Sequence, residues 1–162
     1  MLTDRSLQRG ICVALIKQMS RTVLVKGGQV NYVQSVSVGP HSFPADEPVE
    51  AGGRNAGPDP YELLLSALGA CVSITLRMYA GRKGWSLEAV QVHLSYARVH
   101  ADDCADCDRE VRLVDGIEVE LFLTGELSQD QRQRLLEIAS RCPVHRTLDS
   151  PMPIQTRLAE SS

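Results

Sequence analysis

Apolar and polar residues alternate along several short stretches of this chain, as they do along a β-strand that is buried on one face. Pairs such as Gly27-Gly28 and Gly39-Pro40 separate the first of these stretches, and pairs of this kind are typical of turns. Strands are therefore predicted at residues 22–25, 30–38, 41–44, 90–96, 117–123 and 153–158.

Between residues 61 and 83 the pattern changes to a run rich in Leu and Ala, which predicts a long helix. Asp59 and Pro60 precede this run as a start signal, and Gly84 follows it as a stop signal. Apolar residues lie on nearly every side of the predicted helix. Such a helix belongs in the centre of a core or in an interface between subunits. We therefore expect an obligate homodimer, because one small monomer cannot hide so much apolar surface.

A second helix is predicted from Ser128 to about Arg141, because Ser128 and Gln131 have the spacing of a capping box. The order of elements is strands, helix, strands, helix and strand. This order indicates an α+β fold, in which an antiparallel sheet packs against two main helices. Residues 1–21 show little pattern and are interpreted as an N-terminal extension, and residues 22–162 as a single domain.

The size and composition are those of one ordinary globular domain, with 162 residues, 43% of them hydrophobic and 23% charged. Nucleic-acid binding is not expected, because the net charge is −3 and aromatic residues make up only 4%. The apolar run 11–16 near the N-terminus is too short to cross a bilayer, which takes roughly 20 residues. No secretion signal is recognisable in it. We therefore expect no membrane association and a cytoplasmic protein whose five cysteines stay reduced.

Cys142 has the sequence surroundings of a reactive thiol. It directly precedes Pro143, so it is placed at the N-cap of a short helix, where unpaired backbone N–H groups would face its sulfur. Arg141, His145 and Arg146 add positive charge nearby. Both effects favour the thiolate, which is the reactive form of cysteine. The alternative is a buried cysteine that only packs.

Cys71 has different surroundings, because it lies in the middle of the long helix among small and apolar residues. Burial there would make the thiol inert unless a basic partner comes close. Gly69 costs about 1 kcal/mol in a helix interior relative to Ala, which indicates that another segment approaches the helix backbone here.

Other polar residues allow several interpretations. His100, Cys104 and Cys107 have the spacing for three zinc ligands, for a reversible disulfide, or for an inert exposed loop. A complete zinc site would need a fourth ligand from Asp108, another carboxylate or a second subunit. Glu62, in the first turn of the long helix, is either a carboxylate that stabilises the helix or a catalytic one. Arg54, in the Gly-rich loop before it, is either exposed, paired with Glu62, or an anion-binding group.

Together the two cysteine segments resemble the motifs of the OsmC/Ohr family. The first is a Gly-Pro-x-Pro…Leu…Ala-Cys segment, which begins here at Gly57 and ends at Cys71. The second is Cys142-Pro143-Val144. The resemblance covers roughly residues 22–160, and the segment 79–85 is similar to a branch of OsmC-like proteins distinct from the typical Ohr enzymes.

The resemblance implies an intertwined homodimer with two long central helices covered by sheets, and thiol-dependent reduction of organic hydroperoxides or hydrogen peroxide. In that mechanism Cys71 corresponds to the peroxidatic cysteine and Cys142 to the resolving one. The two residues must then lie close together, so we expect the Cys142 segment to dock against the helix beside Gly69. An external dithiol resets their disulfide, and no bound cofactor is expected. The chain departs from the family pattern at two points. Tyr61 occupies the place of a family Glu, which shifts Glu62 by one residue, and Lys26 stands where the family has a catalytic Arg.

Arg54 is the other candidate for the role of that Arg. Two further classes of function are compatible with the sequence. One is a thiol-based sensor or small-ligand-binding protein without turnover. The other is a metal-binding protein that uses His100, Cys104 and Cys107.

Overall fold

The computed structural model describes residues 21–29, 31–100 and 113–159. They belong to two compact units, one that extends to Pro60 and one that begins at Tyr61. The described residues contain five strands in two antiparallel sheets, and three α-helices. The α+β class is therefore confirmed, with two separate sheets in place of the single predicted one.

The first unit is built on a three-stranded antiparallel meander of Leu24–Gly27 (β1), Gln34–Val38 (β2) and His41–Ala45 (β3), in the order β1-β2-β3. Val36 of the middle strand is buried, but Tyr32, within the strand predicted at 30–38, is exposed. The reason is that β1 and β2 pair only as far as Gly27 opposite Gln34, so Tyr32 lies in the connection between them. A short 3-10 helix, Val49–Ala51, follows β3.

The buried carboxylate of Asp46 organises the loop that follows β3. It accepts hydrogen bonds from the backbone N–H groups of Glu47 at 2.9 Å, Arg54 at 2.8 Å and Ala56 at 3.2 Å. Burial opposes its ionisation, but these bonds and the charge of Arg54 outweigh burial and hold the pKa of Asp46 below its ordinary value. The loop is tight enough that a Cβ on Gly53 would lie 1.9 Å from the Glu47 carbonyl oxygen.

The second unit contains the long helix and the paired strands that the sequence predicted. Helix α1, Pro60–Lys83, leads into a two-stranded antiparallel ribbon of Ala89–His100 (β4) and Leu113–Thr124 (β5). In this ribbon Ala89 lies opposite Thr124 and Leu94 opposite Val119. Two shorter helices follow, Gln129–Ala139 (α2) and Pro143–Leu148 (α3).

The predicted capping box at the start of α2 is present. The Ser128 hydroxyl accepts a hydrogen bond from the backbone N–H of Gln131 at 3.2 Å, and the Gln131 side chain accepts one from the backbone N–H of Ser128 at 2.9 Å. These reciprocal bonds satisfy two N–H groups that a helix start leaves without a partner in the helix.

The core of the second unit lies between α1, α2 and the inner face of the ribbon. Its fully buried members come from one face of α1, from α2 and from the start of α3: Leu68, Val72, Leu76, Ala80, Leu135, Ile138, Ala139 and Cys142. By length and composition α1 is also able to cross a membrane, although the core helix of a soluble protein passes the same test.

The strand predicted at 153–158 is wrong. Residues 151–159 have no regular secondary structure and all are exposed, including Ile154 at 82% and Leu158 at 99%. A strand requires a neighbouring edge that accepts and donates its backbone hydrogen bonds. Among the described strands of this single chain, none pairs with these residues.

Candidate active site

The structure brings Cys71 and Cys142 together, although 70 residues of sequence lie between them. The Cys71 side chain lies close enough to the Cys142 thiol to raise its pKa, and both thiols are free. Cys71 lies on α1 and packs against the core cluster that contains Cys142. The predicted approach of these two residues is therefore present in the structure, whereas their chemical roles remain predictions.

Cys142 is held by the start of α3. It occupies the N-cap with extended backbone angles, and Pro143 follows at the first helical position, as predicted. The backbone N–H of His145 donates a hydrogen bond to the Cys142 sulfur at 3.3 Å. The sulfur therefore serves as the helix cap, and the side chain is completely enclosed.

The expectation that Cys142 is readily ionised is wrong. Burial raises the pKa of the Cys142 thiol above its ordinary value, and the neighbouring Cys71 raises it further. The backbone N–H groups of His145 and Val144 act in the opposite direction but do not outweigh these two effects. The sequence showed the helix start and the nearby cations, but it did not show that α1 and α2 would remove the sulfur from water.

Cys71 is partly exposed, in contrast to Cys142. Two residues before it, Gly69 is buried, and a Cβ at this position would lie 2.7 Å from Cδ1 of Leu94. The segment that approaches Gly69 is therefore β4, not the Cys142 segment that we expected. Close packing of α1 on β4 fixes the part of the helix that carries Cys71.

Glu62 does not reach the cysteine pair within its own chain. It is exposed in the first turn of α1, nine residues before Cys71. Nine residues of α-helix correspond to about two and a half turns and roughly 13 Å, so the two side chains leave opposite sides of the helix. A catalytic role for Glu62 stays a prediction.

Arg54 and Lys26 belong to the first unit. With the Asn31 amide oriented so that its oxygen faces Arg54, that oxygen accepts hydrogen bonds from Nε at 3.0 Å and Nη2 at 2.8 Å. Lys26 is exposed in β1, opposite Ser35. Their catalytic roles also stay predictions.

The candidate metal ligands Cys104, Cys107 and the side chain of His100 lie outside the described residues. Within the parts of the chain that the structure does describe, no group of three or more His, Cys, Asp or Glu side chains could hold a metal ion.

A polar contact that the sequence did not predict joins α1 to α2. Nε of Arg134 donates a hydrogen bond to the Tyr79 hydroxyl at 3.2 Å, and the Trp85 ring packs edge-on against the Tyr79 ring. The bond from Arg134 lowers the pKa of Tyr79 below its ordinary value. The charges of Lys83 and Arg141 add to this effect, and burial opposes it. This contact holds the end of α1 that lies beyond Cys71.

Comparison with known proteins gives the same family that the motifs resemble. The sequence model of the family described as OsmC-like protein matches residues 52–157. No curated protein matches the chain in sequence.

Several solved structures share the fold. An OsmC-like protein from Mycoplasma pneumoniae superimposes with a TM-score of 0.63 at 19% identity, over 80% of this chain and 87% of the other. For an organic hydroperoxide resistance protein OsmC from Legionella pneumophila the TM-score is 0.58 at 21% identity, over 80% of this chain and 88% of the other. For the organic hydroperoxide resistance protein OhrB of Bacillus subtilis the TM-score is 0.56 at 16% identity, over 80% of this chain and 90% of the other. At these identities the likeness establishes the fold alone.

Proposed function

Because this chain belongs to the OsmC-like protein family, we propose that it reduces organic hydroperoxides or hydrogen peroxide with the thiols of Cys71 and Cys142. The observation that carries the proposal is the packing of these two free cysteines together in one core cluster. Two of the structural neighbours are named organic hydroperoxide resistance proteins, which supports the same substrate class. We propose the cytoplasm as the location, where a dithiol reductant is at hand.

The difference in exposure supports a peroxidatic role for Cys71 and a resolving role for Cys142. Cys71 is partly exposed, so a peroxide can reach its sulfur, whereas Cys142 is enclosed. In the first step the Cys71 thiolate attacks the outer peroxide oxygen, and the O–O bond breaks. Cys71 becomes a sulfenic acid, and the remaining oxygen takes up a proton and leaves as the alcohol, or as water from hydrogen peroxide.

Cys142 then completes the cycle from its position beside Cys71. Its sulfur displaces the sulfenic hydroxyl, which leaves as water with the thiol proton, and a Cys71–Cys142 disulfide forms. An external dithiol reduces this disulfide and is itself oxidised. Because the pKa of Cys142 is raised, this residue remains a thiol while Cys71 reacts with the peroxide. This order of reaction fits a resolving cysteine.

We also propose that the working unit is a homodimer. The exposed residues of α1 include Leu64, Ala67, Ile74 and Met78, which follow one another at spacings of three, seven and four residues and so share one face of the helix, as in a seam between two packed helices. Ile74 is 59% and Met78 61% exposed in the single chain. A second copy of α1 would cover this stripe.

The enzymatic proposal is tested by steady-state peroxide consumption with a small dithiol as reductant, on cumene hydroperoxide and on hydrogen peroxide. We expect turnover by the wild type and none by Cys71→Ser. The matched control replaces both Cys104 and Cys107 by Ser and should keep its activity, because the acidic neighbours of these cysteines disfavour their thiolates. Activity that survives in Cys71→Ser, or that is lost in the control, contradicts the assignment.

A further inference from the structure

Two tyrosine rings stack on each other where α1 begins. Tyr61 lies in the first turn of α1 and Tyr96 in β4, and their ring centroids are 4.5 Å apart with the ring planes inclined by 29°. This distance is at the short end of the range for interacting aromatic rings. The two phenol rings are therefore in direct contact, although the rest of α1 and half of β4 separate them in sequence.

The surroundings fix one ring of this pair and leave the other accessible. Tyr96 is half-buried on the ribbon, opposite Ile117, and its hydroxyl donates a hydrogen bond to Asp115 Oδ1 at 2.6 Å. Tyr61 is 51% exposed. A small reagent in solution can therefore reach the Tyr61 ring, which keeps some freedom to turn against the fixed ring of Tyr96.

The dimer seam proposed above faces away from Tyr61. Successive residues of an α-helix are about 100° apart around its axis. Leu68, seven residues after Tyr61, therefore shares a face with it, and Leu68 is buried in the core of its own chain. Ile74, in the seam, lies thirteen residues after Tyr61 and so about 140° around the helix from it.

Two phenols in contact are suited to one-electron oxidation followed by coupling. Removal of one electron and the hydroxyl proton from a phenol leaves a phenoxyl radical, whose unpaired electron is shared with the ring carbons beside the C–O bond. Two such radicals in contact form a carbon–carbon bond between these carbons. The hydrogen on each joined carbon then moves to the phenolic oxygen. In total two electrons and two protons leave the pair, and the product is dityrosine.

We infer that Tyr61 and Tyr96 form a modification site for one-electron oxidants such as alkoxyl radicals, which join α1 to β4 through a dityrosine bond. Each alkoxyl radical takes the hydrogen atom of one phenolic hydroxyl and leaves as an alcohol, so two radicals are consumed for each bond formed. The stacking of the rings supplies the contact that coupling requires, and the exposure of Tyr61 supplies access. Neither Cys71 nor Cys142 takes part, so the inference is independent of the function proposed above.

The test uses photogenerated tris(bipyridine)ruthenium(III), a one-electron oxidant of phenols, as the probe. Thiols that react with iodoacetamide are alkylated first, because thiols reduce tyrosyl radicals. We expect the oxidised chain to show dityrosine fluorescence and to lose two hydrogen atoms by intact-protein mass spectrometry. After digestion, one cross-linked peptide pair should contain Tyr61 and Tyr96.

The variants Tyr61→Phe and Tyr96→Phe keep both rings and remove one hydroxyl each, and each should lose the dityrosine signal within the chain. The matched control is Tyr32→Phe, which removes a tyrosine that is 54% exposed in the first unit, and it should keep the wild-type yield. Circular dichroism checks that all three variants are folded. No dityrosine in the wild type, bonds through Tyr32 or Tyr79, bonds only between chains, or a signal that survives either replacement in the pair overturns the inference.

Discussion

The replacement Gly69→Ala should change from destabilising to stabilising when the side chain of Leu94 is shortened. In the wild type an added Cβ would lie 2.7 Å from Leu94 Cδ1, which is closer than carbon atoms pack, whereas the next atom, Cγ, lies at an ordinary 4.0 Å. The conflict is therefore confined to one methyl group of β4. Gly69 lies two residues before Cys71, so this contact with β4 positions the part of α1 that carries Cys71.

Two opposing terms set the magnitude. Alanine is favoured over glycine in a helix interior by about 1 kcal/mol. Forcing an extra methyl group into a packed core costs roughly 1–3 kcal/mol. Gly69→Ala should therefore lower the free energy of unfolding by about 0–2 kcal/mol in the wild type. In the Leu94→Ala background the contact is gone, and the same replacement should raise the free energy of unfolding by about 1 kcal/mol.

Urea unfolding followed by circular dichroism measures all four proteins of this double-mutant cycle at one protein concentration. Gly81→Ala supplies the control, because Gly81 lies in the same helix and a Cβ there would have no neighbour within 4 Å. It should stabilise both backgrounds by about 1 kcal/mol. If Gly69→Ala has the same effect whether residue 94 is Leu or Ala, the close packing of α1 on β4 is refuted.

Three other expectations concern charge, oxidation and assembly. Because the pKa of Asp46 lies below its ordinary value, its stabilising effect is present above pH 3.8 and is lost as the pH falls through the lowered value. In thermal unfolding, the melting temperature of Asp46→Asn should therefore lie below that of the wild type at pH 7, and the difference should shrink toward about pH 3. A difference that stays constant over this range contradicts the prediction. Under excess peroxide, Cys71 of the Cys142→Ser variant should be oxidised beyond the sulfenic acid to the sulfinic acid, whereas the wild type should stop at the disulfide. Intact-protein mass spectrometry distinguishes these products, and equal over-oxidation of Cys71 in both proteins argues against a resolving role for Cys142. Ile74→Glu should halve the mass measured by light scattering while Gln133→Glu leaves it unchanged, and a monomeric wild type rules out the dimer.

Local signals in the sequence were sufficient to predict the helices and where they begin. Pro60 and Gly84 bound α1, Ser128 and Gln131 start α2, and Pro143 starts α3, because each signal acts on backbone groups within a few residues of itself. The strand at 153–158 was wrong because alternation describes one strand, whereas pairing needs a second edge elsewhere in the fold.

The candidate site could be predicted only in part for the same reason. The sequence placed Cys142 at a helix N-cap, which is a local property, but the rise in its pKa comes from burial by other elements. Gly69 indicated a close approach without showing that Leu94 makes it.

The claim that Cys71 and Cys142 form one redox pair is tested most directly by mapping the disulfide after a single turnover. Reduced protein that carries Cys104→Ser and Cys107→Ser is treated with one equivalent of cumene hydroperoxide, digested without reductant and examined by mass spectrometry. We predict a cross-linked peptide pair that contains Cys71 and Cys142, with one alcohol formed per disulfide. Peroxide left unreacted, or consumed while both thiols stay reduced, contradicts the account.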